Sequence, residues 1–208
     1  MKTLIAIPCM DQVAAPFAQS LATLDKVGDC VVSMLIGSLI YDSRNKLAAQ
    51  ALRLGVDYVL WLDSDVTFPP DTISRLKAHL DAGADVATGL YFRRAAPYSP
   101  VISKTLNLET GDHANYDEYP EDRPFEVEGC GFGCVLVKAQ MLIDVGAAYG
   151  APFSPLGGAG EDLSFCWRVR QLGGKIVCDP SVSCGHVSHT IITADFWHQI
   201  KALDAPRA

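Results

Sequence analysis

The stretch Tyr58-Val59-Leu60-Trp61-Leu62-Asp63-Ser64-Asp65-Val66-Thr67-Phe68-Pro69-Pro70-Asp71 decides how the chain folds. Five consecutive apolar residues without alternation read as a strand buried on both faces. Such a strand needs helical cover on each side, which is the situation in a parallel α/β sheet. Two carboxylates follow at once, and the Pro-Pro pair after them suits the first turn of a helix running to about Ala82. Carboxylates placed directly after a strand lie at the carboxyl edge of an open sheet, where such sheets bind ligands.

The flanking sequence repeats the same unit. Upstream, Leu4 to Ile7 and Cys30 to Ile36 read as strands, with helices over about Val13 to Lys26 and Ser43 to Leu54, the second closed by Gly55 as its C-cap. Downstream, Asp85 to Gly89 reads as a further strand. The segment from Arg93 to Glu126 carries four prolines and the acidic run Tyr116-Asp117-Glu118-Tyr119-Pro120-Glu121-Asp122, and reads as an irregular excursion or hairpin over the sheet rather than a linker. Order returns with a strand at Gly133 to Val137, a helix at Ala139 to Val145, the loop Ala151 to Gly160, a helix from Glu161 to about Leu172 and a strand at Lys175 to Cys178. A short amphipathic helix over Thr193 to Leu203 is expected to pack on the domain. The expectation is one α/β domain spanning 1–208: an open, mostly parallel but mixed central sheet flanked by helices, with a Rossmann-like N-terminal half.

Composition bounds the function. At 208 residues, 49% hydrophobic and 20% charged, the chain can enclose one substantial core. A net charge of -7 with scattered Lys and Arg offers no basic face to a nucleic-acid backbone. The N-terminal apolar run is stopped by Pro8 too early for a signal peptide. The longest apolar stretch, Val31 to Tyr41, falls short of the roughly 20 residues of a membrane span. The seven cysteines are odd in number and form no C-x-x-C pair. They read as small buried hydrophobes of a reduced, cytoplasmic protein, with a zinc or redox role for Cys130 and Cys134 as the lesser alternative.

Extended alternation would put Asp63 and Asp65 on one side of the chain, roughly 6–7 Å apart at Cα, within reach of one hard cation such as Mg²⁺ or Mn²⁺. A bare D-x-D more often caps a turn, and on the residues alone that remains the favoured reading. The run Gly129-Cys130-Gly131-Phe132-Gly133-Cys134 lacks G-x-G-x-x-G spacing and precedes its strand instead of following one, which argues against a dinucleotide cofactor. Its glycines read as a bulge or as a close approach to a bound sugar. Arg44, in Ser43-Arg44-Asn45-Lys46, would lie at a helix N-terminus on the ligand edge. A solvated helix arginine is its plain alternative.

These features resemble the metal-dependent, family-2-like glycosyltransferases of GT-A type, over most of the chain from Leu4 to about His189. The resemblance implies a nucleoside-diphosphate sugar donor, UDP-sugar favoured and GDP-sugar next, with Mn²⁺ or Mg²⁺ as cofactor. It implies a hydroxyl acceptor whose class, whether saccharide, lipid, protein or modified nucleobase, the sequence does not name. By the same resemblance Pro8, Asp11, Arg44, Asp63, Ser64, Asp65 and Gly131 border the donor, and Asp63, Asp65 and His186 bind the metal, with His189 as the competing histidine. Asp162 of the Glu161-Asp162 pair is the implied base of an inverting reaction, kept ionised by its helix N-terminus, and Glu161 is the fallback base or an acceptor ligand. One departure stands out: where such enzymes carry an acid for the nucleobase and ribose after the second strand, this chain has Gly37-Ser38, leaving Asp11 or Asp42 for that task. Two rivals from other classes are a Mg²⁺-dependent phosphatase, since Asp63-Ser64-Asp65-Val66-Thr67 matches D-x-D-x-T, and a noncatalytic nucleotide-sugar-binding module.

Overall fold

The computed structural model describes residues 1–188, so the expected helix over Thr193 to Leu203 and His189 lie outside the described residues. Three βα units open the chain in order: β1 (Lys2–Cys9), α1 (Ala15–Thr23), β2 (Asp29–Ile36), α2 (Ile40–Leu54), β3 (Tyr58–Leu62), the short β4 (Val66–Thr67) and α3 (Thr72–Asp81). α1 is shorter than its apolar periodicity suggests, because Pro16 fixes the first turn at Ala15. Gly55 ends α2 in the left-handed conformation at φ 58°, its N–H returned to the last turn.

The second half contributes β5 (Val86–Leu90), β6 (Ile102–Asn107), β7 (Asp112–Asn115), β8 (Phe125–Glu126), β9 (Gly129–Cys130), β10 (Cys134–Lys138), α4 (Ala139–Tyr149), α5 (Glu161–Gln171), β11 (Ile176–Ser183) and β12 (Gly185–His186). The central sheet has seven strands in the order β2-β1-β3-β10-β5-β11-β8. β1 runs parallel to β2 and β3, and β11 parallel to β5. β10 enters antiparallel between β3 and β5, which makes the sheet mixed. The excursion after β5 is a hairpin, β6 with β7, carrying β9 on its other edge.

Period-two alternation divides the core into two layers. Leu4, Ala6, Val59, Trp61, Val135 and Val137 face α2, α4 and α5, while Ile5, Ile7, Leu60, Leu62 and Leu136 face Phe17 of α1 and Ile73, Leu76 and Leu80 of α3. Trp61, the largest of these side chains, packs edge-on against Phe153 at 4.9 Å between ring centroids. Six of the seven cysteines are buried and all are free; Cys130 and Cys134 do not converge on one centre, since Cys130 faces Cys166 of α5 at 3.9 Å between sulfurs. No helix among the described residues is long and apolar enough to cross a membrane. This sheet brings the carboxyl ends of β1 and β3 and the start of α5 to one edge.

Candidate functional site

A two-residue ribbon builds the first part of the site. Beyond Leu62 the chain does not stay extended: the Val66 N–H bonds to the Asp63 carbonyl at 3.1 Å, closing a turn over Asp63-Ser64-Asp65. The expected strand alternation of the two acids is therefore replaced by a turn that aims them apart. β4, leaving this turn, pairs antiparallel with β12, placing His186 opposite Val66. The Val187 N–H bonds to the Asp65 carbonyl at 2.8 Å. Sequence positions about 120 apart are thus locked side by side, and His186 Nε2 faces Asp65 Oδ1 at 3.7 Å.

The histidine's orientation is fixed from behind. His186 Nδ1 lies 2.8 Å from the Phe92 carbonyl oxygen, which can only accept, so Nδ1 is the donor and Nε2 is the nitrogen turned to Asp65. Tyr91 meets the ring edge-on at 5.4 Å between centroids. An imidazole oriented by a carbonyl on one nitrogen, with the other turned to a carboxylate, is a donor pair that suits Mn²⁺ or Mg²⁺. Asp65 and His186 fit such an ion. Among the described residues no group of three or more His, Cys, Asp or Glu side chains is assembled as a metal cluster.

Asp63 turns the other way, to Arg44. α2 starts at Ile40, three residues before the expected Ser43, so Arg44 lies inside the helix rather than at its N-terminus. It is only 2% exposed. Its Nη2 donates to Asp63 Oδ1 at 2.8 Å and its Nε to Glu161 Oε1 at 3.0 Å. The guanidinium sits over the rings of Trp61 and Phe132. Burial alone would weaken its charge, yet Asp63, Glu161 and Asp162 hold its pKa above the ordinary value. Arg44 is therefore a buried clamp joining the end of β3 to the start of α5, with Glu161 as its ion-pair partner. Among the described residues the clamp's Nη1 and the buried Ser43 hydroxyl have no hydrogen-bond partner.

Asp162 behaves differently from its neighbour. A helix N-terminus on its own would keep it ionised, but burial first, and then the Glu161 carboxylate beside it, push its pKa up to about 6, against the opposing Leu163 N–H and Arg44. The Leu163 N–H donates to Oδ1 at 2.7 Å. A carboxylate poised near 6 is a stronger base than an ordinary aspartate and is still mostly ionised at neutral pH.

One cavity of about 380 Å³ gathers Pro8, Arg44, Asp63, Ser64, Asp65, Glu161, Asp162 and His186, together with Met10, Ser38 and Ile40. Three expected positions fall elsewhere. Gly131 is buried, and a Cβ there would stand 2.1 Å from the Tyr91 hydroxyl, so the glycine makes room for Tyr91. Asp11 is exposed and Asp42 is engaged by Ser38 and Lys46, so neither lines this cavity. One charged member of this cavity is absent from the expected set: Arg94, whose Nη1 donates to Asp65 Oδ2 at 2.6 Å. Its sequence signal is the Arg93-Arg94 pair just beyond β5, at the same sheet edge.

Comparison with known proteins agrees with this architecture. Residues 39–145, which carry Arg44, the Asp63-Ser64-Asp65 turn and β5, match the family described as Glycosyl transferase family 2. The fold is similar to that of A197 from STIV, with a TM-score of 0.68 and 21% identity over 91% of this chain and 87% of that one. It is also similar to a crystal structure of GalNAc-T7 with UDP, GalNAc and Mn²⁺, with a TM-score of 0.63 and 10% identity over 91% of this chain. This chain spans 44% of the length of that protein. A comparison with curated proteins finds no match. With half of its length matched and its acid-tipped central strand in the GT-A arrangement, the chain belongs to glycosyl transferase family 2.

Proposed function

We propose that this protein transfers a sugar from a nucleoside-diphosphate donor, a UDP-sugar before a GDP-sugar, to a hydroxyl acceptor with inversion at the anomeric carbon, as a hexosyltransferase using Mn²⁺ or Mg²⁺. The observation that carries the proposal is the convergence, in one cavity, of the Asp65–His186 pair and the raised-pKa Asp162. Four carboxylates against two guanidiniums leave the cavity net negative, and an anionic diphosphate enters such a field only with a cation. The family's nucleotide-sugar chemistry and the UDP and Mn²⁺ in the GalNAc-T7 structure support the same reading.

Asp65 and His186 would hold the metal, with Asp63 in the same turn. When bound, the metal neutralises negative charge developing on the departing diphosphate. The apolar wall of Pro8, Met10 and Ile40 suits a nucleobase, while the Ser43 hydroxyl and Arg44 Nη1, without partners among the described residues, offer polar contacts there. Asp162 accepts the proton of the acceptor hydroxyl as its oxygen bonds to the anomeric carbon and the bond from that carbon to the diphosphate oxygen breaks. The phosphatase alternative needs Asp63 as a free nucleophile, whereas this carboxylate is held by the buried Arg44.

Thermal unfolding with UDP, GDP, CDP and dTDP, each with Mn²⁺ and with chelator, tests the proposal. At a hundredfold excess over Kd, one-site binding stabilises by about 2.7 kcal/mol, or roughly 5–10 °C for a domain of this size. The expected result is such a rise for UDP or GDP that chelation removes. No rise with any nucleotide would count against a nucleotide-sugar transferase.

A further inference from the structure

We infer that Arg94 is a built-in cation that occupies Asp65 until the metal arrives and then binds the donor's diphosphate, so that it opposes binding of the free metal but strengthens binding of the metal with nucleotide. The inference rests on the metal-dependent reading above. Arg94 Nη1 holds Asp65 Oδ2 at 2.6 Å, and the other oxygen of the same carboxylate faces His186 Nε2. The guanidinium therefore neutralises the very carboxylate that the metal needs.

The pair also stands between two cavities. Asp65, Ser64 and Arg94 line both the site of about 380 Å³ and a neighbouring space of about 310 Å³ formed with Gln12, Val13, Ala14, Ala15 and Val187. An arginine on that boundary can reach an anion seated in the first without any change in the backbone. The local geometry allows this. The segment after β5 folds back on itself, with a bridge between Phe92 and Pro100 and the Arg93 N–H bonded to the Ser99 carbonyl at 3.0 Å. The backbone is anchored, while the Arg94 side chain is 52% exposed and makes no other hydrogen bond among the described residues. Most of its five N–H donors remain free for phosphate oxygens, which a guanidinium binds as a fork. The same segment supplies the Phe92 carbonyl that orients His186, so the cation and the metal-facing imidazole are set by one short stretch of chain.

An exposed ion pair of this kind is weak, so its loss should change metal affinity only slightly, whereas loss of a charge-assisted contact to phosphate should cost more. For Arg94→Ala, binding of Mn²⁺ alone, followed by the EPR signal of the free ion, is expected to tighten by about 2–5-fold. Binding of UDP or GDP at saturating Mn²⁺, measured by calorimetry, is expected to weaken by about 10–100-fold. Arg94→Lys keeps the charge without the fork: metal binding should match the wild type and nucleotide binding should fall between the two. Because the side chain is exposed, both variants should fold, as an unchanged melting temperature without ligand would show. If Arg94→Ala binds Mn²⁺ more weakly, or binds nucleotide as well as the wild type, Arg94 is not an exchanging cation and the inference is overturned while the transferase proposal stands. If the wild type itself binds neither nucleotide in a metal-dependent way, both fail.

Discussion

Replacing Asp65 with Ala should abolish the metal-dependent stabilisation by nucleoside diphosphate, an affinity loss of at least about 100-fold, while leaving the fold almost untouched. The two parts of this expectation come from different features of the same side chain. Functionally, Asp65 is the carboxylate that shares a potential cation with His186 Nε2, and a bound metal carries most of the charge that attracts a diphosphate into a net negative cavity. Structurally, its protein partner is the exposed Arg94, and exposed pairs contribute on the order of 0–1 kcal/mol. Asp63→Ala provides the contrast. It removes a partner of the buried Arg44 and leaves that charge poorly compensated, which costs on the order of 3 kcal/mol. Melting curves with and without Mn²⁺ and nucleotide separate the cases: Asp63→Ala should melt well below the wild type without ligand, and Asp65→Ala should melt like the wild type but gain nothing from ligand. Equal melting temperatures for the two variants would show that the division of labour within the turn is misread.

That division is hidden in the sequence for an identifiable reason. The buried strand Tyr58 to Leu62 is legible because five apolar residues in a row, too few for a buried helix and flanked by polar residues, fit a strand covered on both faces. The fate of the two acids after it is not legible, because it depends on tertiary partners. Arg44 and Asp63 are 19 positions apart, and Arg94 and Asp65 are 29 apart. The start of α2 is concealed as well: Ile40 and Tyr41 extend the apolar run of β2, and the N-cap position, Leu39, offers no side-chain cap to announce a helix. A helix start at Ser43 makes Arg44 look like a terminal, solvent-facing anion contact; starting at Ile40, the helix carries the same residue into the core. His186 can be nominated by resemblance, but the ribbon that delivers it, two residues on each side, is too short for any periodicity to show.

Asp162 is the residue whose chemistry the sequence conveys least well, and it yields the second large prediction. A helix N-terminus lowers a carboxylate pKa, and that consideration alone forecasts an ionised base. In the folded protein, burial and the Glu161 charge outweigh it and raise the pKa from 3.8 to about 6. The folded state thus holds the proton more tightly than the unfolded chain. The native state is unpenalised below pH 3.8, loses stability as pH rises from there to 6, and carries a constant penalty above 6. Two pKa units correspond to on the order of 1–3 kcal/mol for a partly solvated group. Asp162→Asn keeps an oxygen for the Leu163 N–H and cannot ionise, so it should melt several degrees above the wild type at about pH 8 and with no advantage near pH 4. The same substitution should lower transfer by about 10²–10⁴-fold with nucleotide binding retained, because it removes the carboxylate proposed to take the acceptor's proton. In the wild type, kcat/KM should climb with pH to a plateau above about 6. A variant that gains stability and loses transfer would identify Asp162 as a carboxylate held in an unfavourable place for its chemistry; one that gains stability and keeps transfer would leave it a strained helix terminus and return the search for a base to Glu161.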